Sequence, residues 1–459
     1  MSNESKHDPL HDSAAGEAPD SKASVNASTE RTIRVAAMAR VEGEGGITIV
    51  VRDGKVEDAQ LRIFEPPRFF ESFLRGRSLL EVPDITARIC GICPVAYQMS
   101  SCHAIEKLLG MNVPAPIKSL RRLLYCGEWI ESHVLHFAFL HAPDFFGYES
   151  AIAMAQAKPE FAAIVRSALA VKKAGNSIVE TLGGREVHPI NVRVGGFYKL
   201  PSRADLAALA DRLERVRDVA RDLVRWTAKL DFPDYEYDYE YVALSHPVEY
   251  PMNEGRLVSS KGLNIDMAEY PDHFEERHVP HSNALQSLKK GSGAFFTGPL
   301  ARWNMNRDRA TVDARVLGGE LGISWPCDNP FVSIVARAIE VFHAVDLAIR
   351  LIREYEPPER AFEPVEFRAG SGAWITEAPR GILYHRYEAD DKGAVVAATI
   401  IAPTSQNQRQ IEEDLIRFAP TILDIPQAEA EWKCEQVVRN YDPCISCATH
   451  FLTLNIVNK

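Results

Sequence analysis

The spacing of hydrophobic and polar positions changes several times along the chain. Residues 31–64 alternate apolar and polar side chains around glycine-containing turns, and this period of two predicts a β meander or hairpin sheet. Residues 116–141 are apolar on more than one side, which predicts a helix buried deep in the protein. Apolar residues at helical spacing predict further helices at 98–110, 150–182, 203–230 and 330–355.

The second half of the chain mixes both kinds of pattern. Residues 232–300 are rich in Tyr, Pro and Gly and contain short strand patterns, and residues 365–402 alternate around glycine-rich turns. The sequence also predicts a last helix at about 408–418. We therefore predict an α+β protein that is predominantly helical, with a long buried helix bundle, an N-terminal β meander and a later β region.

Composition narrows the class of protein. The chain has 459 residues, 46% hydrophobic and 25% charged, which is the balance of a globular protein with a sizeable core. A net charge of −11 argues against nucleic-acid binding. No apolar run of about 18 residues occurs, so we predict no membrane span. Residues 1–30 are poor in large apolar side chains and contain no signal sequence, which predicts a disordered tail and a cytoplasmic protein.

The cysteines are unusually placed. Four of the eight form two Cys-x-x-Cys pairs, Cys90/Cys93 and Cys444/Cys447, about 350 residues apart. Two intervening residues let both sulfurs of a pair reach one metal ion. A zinc ribbon would draw its pairs from about 15–20 residues apart. Spacing alone therefore leaves three hypotheses open: one shared four-thiolate site, two separate redox pairs, or coincidence.

The residues around both pairs resemble one family. RICGICPVA at 88–96 and DPCISCATH at 442–450 resemble the paired signatures of nickel–iron hydrogenase large subunits. Six further segments resemble the same family in the same order: ARVEGEGG (39–46), EPPRFFESFLRGR (65–77), ESHVLHFAFLHAPDF (131–145), TGPLARWN (297–304), TEAPRG (376–381) and IIAPTSQN (400–407). The first two are most similar to the soluble, bidirectional, NADP-linked branch, the sulfhydrogenases.

The resemblance implies a nickel–iron centre that cleaves H₂ reversibly into protons and electrons. Cys90 and Cys444 would be terminal nickel ligands, while Cys93 and Cys447 would bridge to an iron that carries cyanide and carbon monoxide. Cys444 would accept the first proton and Glu42 would pass it outward, as a carboxylate tuned by burial can. Without the resemblance, Glu42 would be interpreted as a surface residue at a strand end.

Other positions match residues around that centre. Arg380 would lie over the open metal position, paired with Asp442, because a fixed cation there can polarise H₂ or pair with cyanide. Thr404 and the backbone beside Pro403 would donate hydrogen bonds to cyanide, and Leu383 would contact carbon monoxide. The alternatives are a surface arginine, an Asx-turn aspartate and ordinary core packing.

The resemblance also implies a second metal site, and the chain departs from the family pattern at two positions. Glu71, His450 and a backbone carbonyl near Gln408 would bind Mg²⁺, although some members carry iron there. Tyr97 stands where many members have a histidine near a bridging sulfur, and a phenol can donate a hydrogen bond but cannot shuttle protons as imidazole does. Ser132 stands where many members have an aspartate beside the arginine.

The resemblance also implies how the chain is organised and assembled. Residues 31–450 would form the catalytic unit, and a maturation protease would remove residues 451–459 after His450. The sequence contains no dinucleotide-binding glycine motif, no Walker loop and no ferredoxin-like cysteine run. Electrons would therefore leave through partners: a small iron–sulfur subunit and diaphorase subunits that bind flavin and NADP.

Three alternative functions stay open at this point. A regulatory hydrogen sensor would carry the same metals with low turnover. The quinone-site subunit of respiratory complex I is homologous but lacks the four cysteines. A zinc-held interaction protein would use the cysteines without redox chemistry.

Overall fold

A computed structural model describes residues 30–449 of the chain. Residues 1–29, His450 and residues 451–459 lie outside the described residues, so the predicted tail, the predicted histidine ligand and the predicted cleavable peptide stay predictions. Within the described part, no helix combines the length and the apolar character needed to cross a bilayer.

The described chain begins with the predicted meander. Strands β1 (Glu30–Val35), β2 (Gly45–Arg52) and β3 (Lys55–Ile63) form an antiparallel sheet in that order. Their alternating apolar residues, such as Ile33, face the core, because successive side chains of a strand point to opposite faces. The sheet places the turn before β2 beside the C-terminal cysteines, as described below.

Helices make up about half of the described residues and exceed the strands severalfold, which confirms the predicted fold class. The shorter ones are α1 (Phe70–Leu74), α2 (Val82–Ala87), α5 (Ala142–Phe146), α6 (Ala151–Ala157), α9 (Tyr270–His273), α10 (Pro299–Asn306) and α11 (Val312–Glu320). The longer ones are α3 (Pro94–Leu109), α4 (Ala115–Val134), α7 (Pro159–Gly183), α8 (Arg203–Thr227), α12 (Ser333–Arg353), α13 (Pro403–Phe418) and α14 (Gln427–Arg439). Helices α4, α7, α8 and α12 pack against one another as a bundle.

The predicted central helix is present with one change of geometry. Helix α4 runs without interruption into a π-helical segment, Leu135–His141, and then into α5. From Leu120 to Val134 every residue of α4 is buried, as its apolar character on several sides predicted. Wide π turns of this kind are frequent at functional sites.

Two helix predictions were wrong in detail. The single helix predicted at 150–182 is two, α6 and α7, because Pro159 excludes Lys158 from helical geometry and starts a new helix. The predicted last helix begins earlier, at Pro403, and it is not the last, since α14 follows.

The later β region is also present. Strands β11 (Gly370–Ala378), β12 (Gly381–Ala389) and β13 (Val395–Ile401) form an antiparallel sheet whose first strand packs against α3. The short strands predicted within 232–300 form two small sheets: β6 (Val242–Ser245) with β7 (Arg256–Ser259) and β8 (Asn264–Ile265), and β9 (Phe274–Arg277) with β10 (Gln286–Lys289). A further pair, β4 (Val192–Arg193) with β5 (Gly196–Phe197), was not predicted.

A buried ion network ties three of these elements together. Arg302 on α10 donates to Glu340 on α12 at 2.7 and 2.8 Å and to Glu377 on β11 at 3.0 Å. All three side chains are fully buried. Although burial opposes ionisation, Arg302 lowers the pKa of Glu340 to about 2. The network therefore carries charge in the core, where each charge needs its partner.

We expect Arg302→Met to destabilise the protein by about 3–5 kcal/mol, because it leaves two buried carboxylates without their cation. Chemical denaturation gives the free energy of unfolding. The matched control is Arg353→Met, which removes an exposed arginine paired with Glu214 and should change stability little. Equal stability of the two variants would contradict a structural role for the network.

Candidate metal centre

Both cysteine pairs lie on loops beside helix ends. Cys93 immediately precedes α3, and Cys90 lies in the turn between α2 and α3. Cys444 and Cys447 follow α14, in a loop that closes with a short 3₁₀ turn, Ile445–Ala448. The four sulfur atoms all lie within 4.8 Å of one another, and all four residues are buried. The structure thus brings together the two pairs as the shared-site hypothesis predicted.

The sulfur atoms are close enough to repel one another as thiolates. Cys90 lies 3.0 Å from Cys93 and 3.5 Å from Cys444, and Cys444 lies 2.8 Å from Cys447, measured between Sγ atoms. Burial and the neighbouring sulfurs raise the pKa of Cys444 well above its usual value, whereas hydrogen bonds from the other sulfurs outweigh burial and lower the pKa of Cys90. Four buried thiolates at this spacing need a cation, and sulfur is a ligand for a soft metal. The donor set therefore fits a nickel–iron group.

The C-terminal loop is docked by the N-terminal region. The Ile445 N–H donates to the Glu42 carbonyl at 2.9 Å, in an isolated parallel bridge between the two segments. Gly43, at φ 85°, allows this approach, because a Cβ there would lie 2.8 Å from the Cβ of Ile445. Arg68 donates to the carbonyls of Ile89 and Ser446, one beside each cysteine pair. Arg68 was not predicted from the sequence, although it lies in the recognised segment 65–77.

The predicted relay residue contacts the predicted proton acceptor. Glu42 Oε2 lies 3.0 Å from Cys444 Sγ and accepts the Ser446 N–H at 3.1 Å. The Ser446 hydroxyl donates to Glu42 Oε1 and also lies 3.3 Å from Glu65 Oε1. Sequence reasoning missed Ser446 and Glu65. Glu44, the neighbouring acid, is exposed and its backbone N–H donates to Glu65.

The predicted arginine and aspartate form a buried pair. Arg380 Nε donates to the Asp442 carbonyl at 2.7 Å, and Nη2 donates to its carboxylate at 3.2 Å. Asp442 has a positive φ of 52°, a strained geometry for a residue with a Cβ. Burial raises the pKa of Asp442, with Arg380 and Arg337 opposing it. Ser132 Oγ lies 3.5 Å from Arg380 Nη1, at the long end for a hydrogen bond.

The three other predicted neighbours are all buried. Thr404 Oγ1 accepts the Cys444 N–H at 3.0 Å, so its own proton is available for a further acceptor. Pro403 begins α13 directly before it. Leu383 lies on β12 and is fully buried in the core.

Tyr97 lies on the first turn of α3, close to the sulfurs. Burial and the charges of Cys447, Cys93 and the other two cysteines raise the pKa of Tyr97 well above its usual value. Its hydroxyl is buried and has no hydrogen-bond partner among residues 30–449. Its ring packs at a tilt against His385, with 5.6 Å between the ring centroids. Sequence reasoning missed His385.

The second predicted metal site is described only in part. Glu71 Oε1 accepts the Ile400 N–H at 2.7 Å, and burial together with the charge of Glu71 raises the pKa of Glu276 to about 8. Two neighbouring carboxylates suit a hard cation, and sequence reasoning missed Glu276. Gln408 donates to the Leu61 carbonyl at 3.4 Å, and its role stays a prediction. His450 lies outside the described residues.

Comparison with known proteins identifies a matching family. Residues 68–166 match the nickel-dependent hydrogenase family. Sulfhydrogenase 2 subunit alpha of Pyrococcus furiosus is 35% identical over 420 residues, which cover 90% of this chain and 98% of that protein. The NAD-reducing hydrogenase HoxS subunit beta of Cupriavidus necator is 26% identical, and the match covers 92% of this chain and 95% of that protein.

Solved structures share the fold. An NAD⁺-reducing [NiFe]-hydrogenase in its H₂-reduced state superposes with a TM-score of 0.81 at 26% identity, covering 92% of this chain and 99% of that chain. A Ni-Fe-Se hydrogenase of Desulfovibrio vulgaris Hildenborough superposes with a TM-score of 0.77 at 24% identity, covering 92% and 100%. The second likeness concerns the fold alone.

We expect elemental analysis of the purified protein to find about one nickel and at least one iron per chain. Cys444→Ser should lose nickel, because an alcohol oxygen is a poor ligand for a soft metal. The control is Cys434→Ser, which changes a buried cysteine of α14 outside the sulfur cluster and should keep both metals. Zinc as the only metal in the unmodified protein would contradict the assignment.

Proposed function

The chain belongs to the nickel-dependent hydrogenases, and we propose that, as a catalytic large subunit, it cleaves H₂ reversibly and passes the electrons through partner subunits to NADP⁺ or NAD⁺. The observation that carries this proposal is the convergence of four buried sulfurs from two distant segments within 4.8 Å. The 35% identity to a sulfhydrogenase alpha subunit supports the NADP-linked branch. The reaction is H₂ + NADP⁺ → NADPH + H⁺.

In this proposal the two cysteine pairs hold the metals. Cys90 and Cys444 would be ligands of nickel, and Cys93 and Cys447 would be ligands of both nickel and an iron with cyanide and carbon monoxide. When bound, the metal pair supplies an open coordination position and an electron acceptor for the heterolysis of H₂. The buried, closely spaced sulfurs support this assignment, since soft thiolates suit both metals.

Proton transfer is assigned to the chain's own side chains. The Cys444 sulfur holds the proton first and passes it to Glu42, whose Oε2 lies 3.0 Å away. Ser446 and Glu65 continue the path outward, because the serine hydroxyl contacts both carboxylates. A hydroxyl can accept one proton while it donates another, so it can bridge two acids.

The surrounding residues orient and tune the site. Arg380 presents a fixed positive charge, and Asp442 orients it through two hydrogen bonds. Thr404 would donate a hydrogen bond to cyanide with the proton that its bond to Cys444 leaves available. The backbone beside Pro403 would donate another, and Leu383 would supply an apolar contact to carbon monoxide. Tyr97 and Ser132 adjust this environment where many relatives use His and Asp.

A second metal and partner subunits complete the proposed enzyme. Glu71, a carbonyl near Gln408 and His450 bind Mg²⁺ or iron, supported by the carboxylate environment of Glu71 and Glu276. Residues 31–450 act as one catalytic unit, and a maturation protease removes residues 451–459. A small iron–sulfur subunit and flavin- and NADP-binding diaphorase subunits take the electrons, which suits a cytoplasmic enzyme.

The proposed activity predicts H₂-dependent reduction of NADP⁺, NAD⁺ or both by the purified complex. The measurement is the absorbance of the reduced nicotinamide under H₂, with Cys444→Ser as the inactive control. An unmodified complex that binds nickel and iron but turns over negligibly would instead indicate the regulatory hydrogen sensor. Retained turnover in Cys444→Ser would refute the assigned site.

We predict that Glu42→Gln lowers the turnover rate by about 10²-fold or more, because an amide cannot accept the proton from Cys444. The nickel and iron contents should stay unchanged. The matched control, Glu44→Gln, removes an exposed acid two residues away and should leave the rate near that of the unmodified enzyme. Normal turnover in Glu42→Gln would remove this residue from the relay.

A further inference from the structure

The first turn of helix α3 has backbone N–H groups that its own N-cap side chain does not bind. The first N–H groups of any α-helix have no intrahelical acceptor, and a side chain at the N-cap normally accepts one of them. Cys93 is the N-cap of α3, but its side chain makes no capping hydrogen bond. Its sulfur instead lies 3.0 Å from that of Cys90, inside the metal centre. The Cys93 side chain therefore does not cap α3, because its sulfur belongs to the candidate metal centre.

A carboxylate from another helix accepts these N–H groups. Glu128 on α4 accepts the Val95 N–H with Oε2 at 2.6 Å and the Ala96 N–H with Oε1 at 3.0 Å. The residue is fully buried. A carboxylate at a helix N-terminus is also favoured by the helix dipole. Both oxygens of Glu128 thus serve the helix turn that begins at Cys93.

Helix α4 is held in place on two sides of Glu128. A Cβ on Gly175 of α7 would lie 2.9 Å from the Gly127 carbonyl, so the two helices cross at a distance that needs glycine. On the other side, Tyr125 donates to Thr376 at 2.8 Å and the Trp129 indole donates to the Glu377 carbonyl at 3.0 Å. The carboxylate is therefore presented to α3 from a rigid support.

We infer that Glu128 is a positioning residue for the metal centre, which caps α3 from α4 and so sets the direction in which Cys93 presents its sulfur. This inference rests on the proposed function only in assigning nickel and iron to the sulfurs. The cap itself is a property of the protein chain. Without it, the first turn of α3 is free to fray, and the cysteine that begins it loses its fixed orientation.

Glu131 provides a matched control on the same helix. It lies one turn after Glu128 and is also buried, and burial raises its pKa to about 8. No hydrogen bond joins it to the loop of Cys90 and Cys93 among the contacts of the described residues. Glu131→Gln therefore removes a buried acid from α4 without removing a bond to α3.

The test compares Glu128→Gln and Glu131→Gln in the intact complex. Glutamine replaces one acceptor oxygen with a donor that faces a backbone N–H, so one of the two capping hydrogen bonds is lost. We expect Glu128→Gln to lose nickel to a chelator about tenfold faster, with shifted g values in the nickel electron paramagnetic resonance signal, while Glu131→Gln behaves as the unmodified complex. Indistinguishable behaviour of the two variants would overturn the inference.

Amide hydrogen exchange tests the cap with a readout that does not depend on the metal. In the unmodified complex, the Val95 and Ala96 amides should exchange as slowly as those inside α3, and they should exchange about tenfold faster in Glu128→Gln. Fast exchange in the unmodified protein would refute the cap even if Glu128→Gln fails to fold. If the unmodified complex proves to contain no nickel and its Val95 and Ala96 amides are still protected, the proposed function is refuted and the cap is supported.

Discussion

The structure depends on holding four mutually repelling sulfur atoms in one buried volume. The sulfurs come from segments more than 300 residues apart, and all lie within 4.8 Å of one another. Thiolates at this distance cannot hold their own loops together, so the loops need anchors from elsewhere. Arg68 binds a carbonyl beside each pair, Glu42 fixes the C-terminal loop through its backbone, and Glu128 fixes the N-terminal loop. Each anchor is polar and makes directed hydrogen bonds, which apolar packing cannot supply.

The anchors also divide the charges around the centre. On the side of the N-terminal sheet, Glu42 contacts the Cys444 sulfur directly, and the Ser446 hydroxyl links Glu42 to Glu65. On the side of β12, Arg380 is the cation, held by Asp442. A carboxylate can accept a proton, whereas a guanidinium stays charged. The groups able to accept protons thus lie on one side of the sulfurs and the fixed positive charge lies on the other.

Sequence patterns predicted the elements better than the contacts between them. The meander followed from a period of two, because each strand is buried on one face, and the central helix followed from apolar residues on more than one side, because it is buried all round. Helix α14 was missed because its buried face uses small residues, Ala430 and Cys434, among charged ones. The two cysteine pairs could be identified from their Cys-x-x-Cys spacing. Arg68, Ser446 and Glu128 did not, because their partners are distant in sequence, 378 residues away for Arg68 and Ser446.

Ser132 contributes little to the orientation of the arginine on the β12 side of the sulfurs. Arg380 makes only a weak 3.5 Å contact with the serine hydroxyl, so its orientation rests on the two bonds to Asp442. Asp442 also faces the charge of Arg337, which donates to the neighbouring Asn440 carbonyl at 2.9 Å. One buried carboxylate therefore serves two arginines beside the sulfurs. Against the effect of burial, the hydrogen bonds from the other sulfurs and the charge of Arg380 lower the pKa of Cys90, so this side of the site favours one ionised thiol among the four.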